Sequence, residues 1–523
     1  MKKVVFFGIV LFVALVGCKQ ENRTVKQMAK SQHQKFREPH RPQFHFTPPS
    51  QWMNDPNGMF HYNGEYHLSY QYYPDSTVWG PMHWGHAISK DLIHWEHMPI
   101  ALYPDSLGYI FSGGTVVDVN NTSGFGSGNN PPMVATFTYH DPEGEKAGAT
   151  DFQTQGIAYS TDKGRSWKKY AGNPVIPNQD KIRDFRDPKV VWHPDTEKWI
   201  LSLAAYDEVQ FFSSKNLKDW TFLSAFGLEG DDRLWECPDL FPIVVQETGA
   251  TKWVLIVSIQ KKAPNGGNAT SYFVGDFDGT EFKADVHDQK WLDWGTDNYA
   301  FVTWDNVPKE DGRRIGIGWM SNWDYAQVVP TKAWRSAMTL PRELQLYRNG
   351  DDHTLGALPV RETVSLRASE IAMKPLKVKG SAVVEGDFDV MQCELDVLID
   401  LKETTAKTFG LELSNEQGEK LMVTIDTDRE VLMVDRTESS KEMFSEEFYR
   451  GPHTAPLSLK GDVLDMRMFL DASSIELFLN KGALNFTAIF FPTAPYSRAT
   501  LFSKEGRLVL KEGQIFPLKS IWD

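Results

Sequence analysis

The sequence predicts an all-β protein built as a five-bladed β-propeller followed by a C-terminal β-sandwich. Three observations lead to this prediction. Short strand-like segments recur with turn residues between them, a longer motif returns at intervals, and the pattern changes after about residue 355. Amphipathic helical windows are scarce. We expect the propeller to occupy residues 41–350 and the β-sandwich residues 356–523.

The recurring motif consists of a strand, a polar turn centred on Asp, Asn or Gly, and an aromatic residue that can pack against the next sheet. Its copies occupy residues 87–95, 158–167, 212–220 and 274–282. The closing aromatic residues lie 72, 53 and 62 residues apart, a spacing that suits four-stranded propeller blades. Generic β-hairpins in a sandwich are the alternative, but the motif is shared over nine positions. Three or four copies in about 300 residues predict about five blades.

After about residue 355 the motif stops and segments with alternating apolar and polar residues follow. They lie at residues 388–395, 421–425 and 474–479, and Asn480-Lys481-Gly482 is expected to turn the last one back into residues 486–491. Such alternation with tight turns is typical of an antiparallel β-sandwich. We expect the boundary between the two parts near Asn349-Gly350-Asp351-Asp352.

The N-terminal residues predict an address signal. Lys2 and Lys3 precede an apolar run at residues 4–17, which is shorter than the roughly 20 residues that span a bilayer. The run ends at Cys18 in a sequence similar to a lipobox, so residues 1–18 are expected to be a lipoprotein signal. A plain secretory signal or a short buried helix is the alternative.

Acylation of Cys18 is expected to anchor the protein in the bacterial cell envelope without threading it through the membrane. The anchor is expected on the periplasmic face of the outer membrane or at the cell surface. Residues 19–40 have no hydrophobic period and are expected to form a flexible tether.

The composition favours a soluble fold and a neutral partner. Hydrophobic residues make up 41% and charged residues 24% of the chain, which is ordinary for a globular protein. The net charge of −14 repels phosphate backbones, so we expect no nucleic-acid partner. The 17 Trp residues suit β-sheet cores and also clefts in which ring faces stack on sugars.

Three acidic residues, Asp55, Asp187 and Glu236, lie in unusual surroundings. Each follows an aromatic residue within three positions and precedes a Pro by one or two, which indicates rigid strand ends. Each acid alone can be an ordinary turn residue, and Asp187 can simply pair with Arg186. On the inner strands of three blades, however, the acids are expected to meet at one end of the central channel.

Two such carboxylates can cleave a glycosidic bond, because one attacks the anomeric carbon while the other, kept protonated, donates to the leaving oxygen. Glu236 lies between Trp235 and Cys237 and is the better candidate for the protonated acid. Asp55 lies beside polar Asn54 and Asn57 and is expected to stay ionised. Cys237 and Cys393 are expected to be buried small hydrophobic residues.

The three frames around these acids resemble the signature motifs of glycoside hydrolase family 32, the β-fructofuranosidases. Further segments are similar to family segments in the same order: residues 70–72, 79–86, 111–113, 318–321, 334–338 and 471–478. The resemblance extends from about residue 44 to the C-terminus. It implies a five-bladed propeller followed by a β-sandwich, in agreement with the repeats.

The resemblance implies that Asp55 is the nucleophile, Glu236 the general acid/base and Asp187 the transition-state stabiliser. It implies retaining hydrolysis of β-fructofuranosyl linkages in levan, inulin or sucrose, with no metal and no cofactor. Exo action with release of fructose is favoured; an endo-acting levanase and a non-catalytic glycan-binding propeller stay open, as do linkage preference and oligomeric state. The residues implied to bind substrate are Trp52, Asn54, Gln71, Trp79, Phe111, Ser112, Arg186 and Trp319.

Overall fold

The computed structural model describes residues 36–128 and 130–522. The predicted signal at residues 1–18, with Cys18, lies outside the described residues, as do residues 19–35 of the predicted tether. The last residues of that tether are described, and Phe36 stacks on Trp522 with ring centroids 4.0 Å apart. Phe36, within the predicted tether, is therefore packed against the folded body. Within the described ranges, no helix is long and apolar enough to cross a membrane.

The described residues form a propeller of five antiparallel blades. Blade one contains β1 (Gln51–Tyr62), β2 (Glu65–Tyr73), β3 (His83–Ser89) and β4 (Trp95–Leu102). Blade two contains β5 (Tyr109–Val117), β6 (Met133–His140), β7 (Gln153–Ser160) and β8 (Lys168–Lys169), with helix α1 (Pro142–Lys146) after β6. Blade three contains β9 (Phe185–His193), β10 (Lys198–Ala205), β11 (Glu208–Ser214) and β12 (Thr221–Gly227), with a 3₁₀ helix (Pro194–Thr196) after β9.

Blades four and five carry additional short strands. Blade four contains β13 (Trp235–Val244), β14 (Thr251–Ile259), β15 (Ala269–Phe277), β16 (Phe282–Ala284) and β17 (Lys290–Trp291). Blade five contains β18 (Tyr299–Thr303), β19 (Arg314–Met320), β21 (Ala337–Met338), β22 (Arg342–Asn349) and β23 (Asp352–Pro359), while β20 (Trp334–Arg335) pairs in parallel with β1. This pairing joins the fifth blade to the first, so the ring closes.

The recurring sequence motif is the turn between the third and fourth strands of blades one to four. In blade one, the Asp91 carboxylate accepts hydrogen bonds from the backbone N–H groups of Ile93 and His94, at 3.0 and 2.8 Å. Asn216 accepts two equivalent bonds in blade three, and Asp278 does so in blade four. The polar turn residue thus fixes the turn with its own side chain, and the predicted blade repeat is confirmed.

The remaining strands form the β-sandwich, reached through a 3₁₀ helix (Arg361–Leu366). They are β24 (Ile371–Met373), β25 (Leu376–Val383), β26 (Cys393–Asp400), β27 (Thr408–Ser414), β28 (Lys420–Asp426), β29 (Val431–Asp435), β30 (His453–Pro456), β31 (Val463–Asp471), β32 (Ser474–Leu479), β33 (Leu484–Ile489) and β34 (Arg498–Pro517). The long β34 pairs with β27 through its first half and with β26 through its second. It therefore connects the two halves of the sandwich around one apolar core.

Two sequence boundaries shift in the structure. The boundary predicted near residue 350 falls inside blade five, where Gly350, at φ 67°, turns β22 into β23. A Gly-Asp turn has the same composition in a hairpin as in a linker, so the sequence did not distinguish the two. The propeller continues through β23 to Pro359. The strand predicted at residues 388–395 begins only at Cys393, because the Asp389 side chain accepts from the Met391 N–H at 2.8 Å and forms a turn.

A buried ionic network joins the propeller to the sandwich. Arg342 of blade five donates to Asp293 at 2.8 Å and to Glu476 of β32 at 2.5 Å. His45 lies between Asp471 and Glu476, at 2.7 and 2.8 Å. Burial alone would lower the pKa of His45, but the hydrogen bonds with these two carboxylates outweigh it and raise the pKa to about 9.

Candidate active site

The three predicted acids lie on the inner strands of three blades: Asp55 on β1, Asp187 on β9 and Glu236 on β13. All three line one cavity of about 280 Å³. They lie near the first residues of these strands, so the strands deliver them to the same end of the central channel. The predicted meeting of the acids therefore occurs in the structure.

A β-bulge at each inner strand directs these side chains into the cavity. The register of β1 shifts between Met53 and Pro56, that of β13 shifts between Glu236 and Asp239, and β5, β9 and β18 shift at the same level. A bulge leaves residues outside the ladder and redirects their side chains. Pro has no N–H to lose from a ladder, which explains the Pro after each acid.

Asp55 is held by two neighbours on the cavity floor. Its Oδ2 accepts from the Ser112 hydroxyl at 2.7 Å and its Oδ1 accepts from the Asn54 amide at 3.0 Å. Burial raises the pKa of Asp55, and the hydrogen bonds from Ser112 and Asn54 act against this rise. Asn54 is in turn oriented by the indole N–H of Trp52, which donates to its oxygen at 2.8 Å.

Asp187 is fixed through the backbone. It has φ 65°, its N–H donates to the Thr138 hydroxyl at 3.0 Å, and its Oδ2 accepts from the Cys237 N–H at 3.1 Å. Burial raises the pKa of Asp187 to about 7; the charge of Arg186 opposes the rise, while the charges of Glu236 and Asp55 add to it. The Cys237 sulfur lies 3.6 Å from both Asp55 and Asp187. The residue expected only as a buried small hydrophobe therefore joins two of the acids.

Glu236 is held from two sides. Its Oε1 accepts from Arg186 Nε and Nη2, at 3.1 and 2.9 Å, and its Oε2 accepts from the hydroxyl of Tyr299. Burial raises the pKa of Tyr299 well above its ordinary value, so the phenol keeps the proton that it donates. The ion-pair partners of Arg186 are Glu236 and Asp184. The sequence did not indicate the role of Tyr299, which comes from blade five.

The structure sorts the predicted substrate-binding residues into two groups. Those that line the cavity are Asn54, Gln71, Trp79, Phe111, Ser112 and Arg186. Trp52 and Trp319 are instead fully buried and pack against Trp323, with ring centroids 5.8 and 4.8 Å away. The expectation that Trp52 and Trp319 bind substrate is therefore corrected: both lie behind the cavity wall, and the half-buried Trp323 lines the cavity in their place.

Several cavity residues were not singled out from the sequence. They are His140, Glu145, Phe152, Gln153, Asp184, Gln260, Trp323 and Gln327. Most of them lie in or next to the loops between strands, where no strand pattern marks them. Only Trp323, in a Trp-rich run, carried a signal, and that signal is equally typical of a core residue.

Cavity size alone does not identify this site. A larger cavity of about 550 Å³ lies at the opposite ends of β9 and β13, lined by His193, Val244, Trp253 and Arg314. None of the three acids lines it. The cluster of carboxylates with altered pKa values marks the smaller cavity as the reactive one.

The fold and the paired, buried carboxylates define a glycoside hydrolase. Residues 45–358 match the model of the glycosyl hydrolases family 32 N-terminal domain, and residues 362–517 match that of the C-terminal domain. The chain belongs to glycoside hydrolase family 32.

Similar proteins include a levanase and an exo-inulinase. A levanase from Bacillus subtilis is 45% identical over 497 residues, covering 93% of this chain and 72% of the relative. An extracellular exo-inulinase from Aspergillus awamori is 37% identical over 525 residues, covering 93% and 96%.

Solved structures agree with the same assignment. The exo-inulinase from Aspergillus awamori superposes with a TM-score of 0.84 at 34% identity, covering 93% of this chain and all of the other. The β-fructofuranosidase from Schwanniomyces occidentalis in complex with fructosyl-erythritol has a TM-score of 0.84 at 32% identity, covering 93% and 99%.

Proposed function

We propose that this protein is a retaining β-fructosidase that removes fructose from the ends of levan or inulin chains, or from sucrose. The observation that carries the proposal is the convergence of Asp55, Asp187 and Glu236, from three blades, in one small cavity. The names of the similar levanase and exo-inulinase support the same substrate class.

In this mechanism Asp55 attacks C2 of the terminal fructosyl unit. Glu236 gives a proton to the departing oxygen, and a fructosyl ester forms on Asp55. Glu236 then takes a proton from water, the water oxygen attacks C2, and the Asp55 carboxylate leaves. The hydrogen bonds from Ser112 and Asn54 hold Asp55 for the attack.

Asp187 stabilises the transition state. Positive charge develops strongly at C2 of a ketose because that carbon is fully substituted, and a carboxylate beside it lowers the barrier. The Thr138 hydroxyl accepts from the Asp187 N–H, and the Cys237 N–H donates to the Asp187 carboxylate. These two hydrogen bonds keep Asp187 in place as the sugar ring changes shape.

The shape of the cavity supports exo action. The acids lie at a floor formed by the bulged inner strands, where Asp55 and Asp187 are 9% and 5% exposed. Trp79 and Phe111 stand on one wall with ring centroids 5.9 Å apart. A chain end reaches such a floor, whereas the middle of a chain needs a groove open on both sides.

The experiment measures sugar release from levan, inulin and sucrose. We expect fructose as the sole early product from the two fructans, and a fall in turnover of about 10³-fold or more for Asp55→Asn and Glu236→Gln. Asp305→Asn is the control, since Asp305 is a half-buried propeller acid that does not line the cavity and whose carboxylate accepts from the Val117 N–H at 3.1 Å. A ladder of oligomers would refute exo action, and normal turnover of sucrose by Glu236→Gln would refute the acid assignment.

We also propose that Cys18 is acylated and anchors the enzyme in the cell envelope. The support is the sequence, in which an apolar run ends at Cys18 and a polar stretch without a hydrophobic period follows. Metabolic labelling with a fatty-acid analogue is expected to label the full chain, and Cys18→Ser is expected to abolish the label and move the enzyme to the soluble fraction. An unlabelled wild-type chain would refute the anchor.

A further inference from the structure

The β-sandwich contacts the propeller at a segment that leads into the active site. This docking segment, residues 293–297, lies along β33. The Trp294 N–H donates to the Asn485 carbonyl at 2.9 Å, and the Thr487 N–H donates to the Asp293 carboxylate at 2.9 Å. A Cβ on Gly295 would lie 1.9 Å from the Thr487 oxygen, so only glycine permits this approach.

One buried sandwich residue, Arg436, fixes the end of the docking segment. Its Nη1 donates to Asp297 at 2.7 Å and its Nη2 donates to the Tyr325 hydroxyl at 2.8 Å. The Tyr325 hydroxyl in turn donates to Asp297 at 2.5 Å. The guanidinium also packs 3.9 Å from the ring centroid of Phe448. The guanidinium therefore contacts Asp297 and Tyr325 of the propeller and Phe448 of the sandwich at once, as a planar group with several donors can.

Asp297 and Tyr325, the two partners of Arg436, are each close in sequence to residues of the catalytic site. Tyr299, two residues after Asp297, donates to Glu236. The loop around Tyr325 carries Trp323 and Gln327, which line the cavity. The same loop is tied to the docking segment, because the Asn322 amide donates to the Thr296 carbonyl at 2.8 Å.

We infer that Arg436 of the β-sandwich is a positioning residue for the reaction: it holds Tyr299 against Glu236 and holds the wall that meets the leaving group. This inference rests on the proposed function, in which Glu236 protonates the leaving oxygen. It gives the β-sandwich a part in catalysis without any contact between the sandwich and the substrate.

The test compares substrates that need the acid with one that does not. In Arg436→Met we expect kcat/KM on sucrose and inulin to fall about ten- to a hundredfold, because a displaced general acid loses much of its effect. On p-nitrophenyl β-D-fructofuranoside, whose leaving group needs no proton, we expect a fall of less than about threefold.

The matched control is Arg367→Met. Arg367 also lies in the C-terminal part, pairs with a buried carboxylate (Glu394, 2.7 Å) and stacks on an aromatic ring (Phe516, 3.7 Å), but neither partner lines the cavity or hydrogen-bonds to the docking segment. We expect the ratio between the two substrate types to stay at the wild-type value. An equal fall on both types in Arg436→Met, or the same change of ratio in Arg367→Met, would overturn the inference.

Arg436→Lys keeps the inference testable if the Met variant does not fold. Lysine retains the charge opposite Asp297 but lacks the planar fork that also reaches Tyr325, so we expect a smaller change of ratio in the same direction. In a Tyr299→Phe background, Arg436→Met is expected to change the ratio less than it does alone, as for residues that act together. Full additivity would contradict the route through Tyr299. Wild-type protein that is inactive on every fructoside would instead refute the proposed function.

Discussion

At the scale of single residues, burial and hydrogen bonding act in opposite directions on Asp55. Its sequence neighbours are polar, and from them we expected an acid that ionises readily. In the fold the carboxyl group is buried, which raises its pKa, and the hydrogen bonds from Ser112, Asn54 and Cys237 oppose the rise. Sequence neighbours therefore identify the acid, whereas its environment also depends on Ser112 and Cys237, which come from other blades.

Ser112→Ala tests this balance. Removal of the 2.7 Å hydrogen bond takes away a donor that favours the carboxylate, so the pKa of Asp55 rises further. We expect the low-pH limb of kcat/KM to move up by about one pH unit. A hydrogen bond to a charged group contributes about 1.4 kcal/mol, and its loss corresponds to a pKa shift of about one unit. Ser202→Ala, at a buried serine of blade three, is the control. An unchanged limb in Ser112→Ala would show that this bond does not set the ionisation that limits the reaction at low pH, and would point to Asp187, whose pKa is raised to about 7.

At the scale of elements, the sequence predicted the features that depend on neighbouring residues and missed those that depend on contacts between blades. The turn residues of the blade motif accept hydrogen bonds from backbone N–H groups two and three residues further along the chain, so the sequence alone predicted the turns at Asp91 and Asn216. The Pro after each acid marked a special strand end but did not reveal a bulge. Tyr299 contacts Glu236 from another blade and Trp323 lines the cavity, and such contacts between blades leave no local sequence pattern. For the same reason Trp319 was expected in the cleft although it lies behind Trp323.

Ala300→Val tests the bulge on β18. Ala300 is fully buried with φ 51°, a conformation that a β-branched residue adopts only under strain. We expect a loss of about 2–3 kcal/mol in the free energy of unfolding and reduced turnover of sucrose, because Tyr299 precedes this position. Ala135→Val, at a buried position of β6, is the control for added volume. Equal losses of stability and activity in both variants would contradict a special role of the bulge.

At the scale of the whole molecule, the propeller and the sandwich share one buried ionic network. The sequence predicted both parts, but the network joins residues as distant as His45 and Asp471, and no sequence pattern connects them. The pKa of His45 is raised, so the protonated form stabilises the fold. That contribution is complete below about pH 6.5 and is lost as the pH rises to about 9.

The free energy of unfolding is therefore expected to fall between pH 6.5 and 9, by about 3 kcal/mol from this single group. Denaturant titrations across this range measure the slope. His45→Gln cannot be protonated, so its stability is expected to change less with pH than that of the wild type. Parallel slopes for the two proteins would rule out His45 as the source.

The central claim is that Asp55 is the nucleophile, and mass spectrometry of a trapped intermediate tests it most directly. Glu236→Gln is mixed with p-nitrophenyl β-D-fructofuranoside, whose departure needs no acid, while the missing base slows hydrolysis of the ester. After an acid quench, we expect the peptide that contains Asp55 to carry one fructosyl unit. A fructosyl unit on another residue, or release of p-nitrophenol at the wild-type rate with no labelled peptide, would contradict the account.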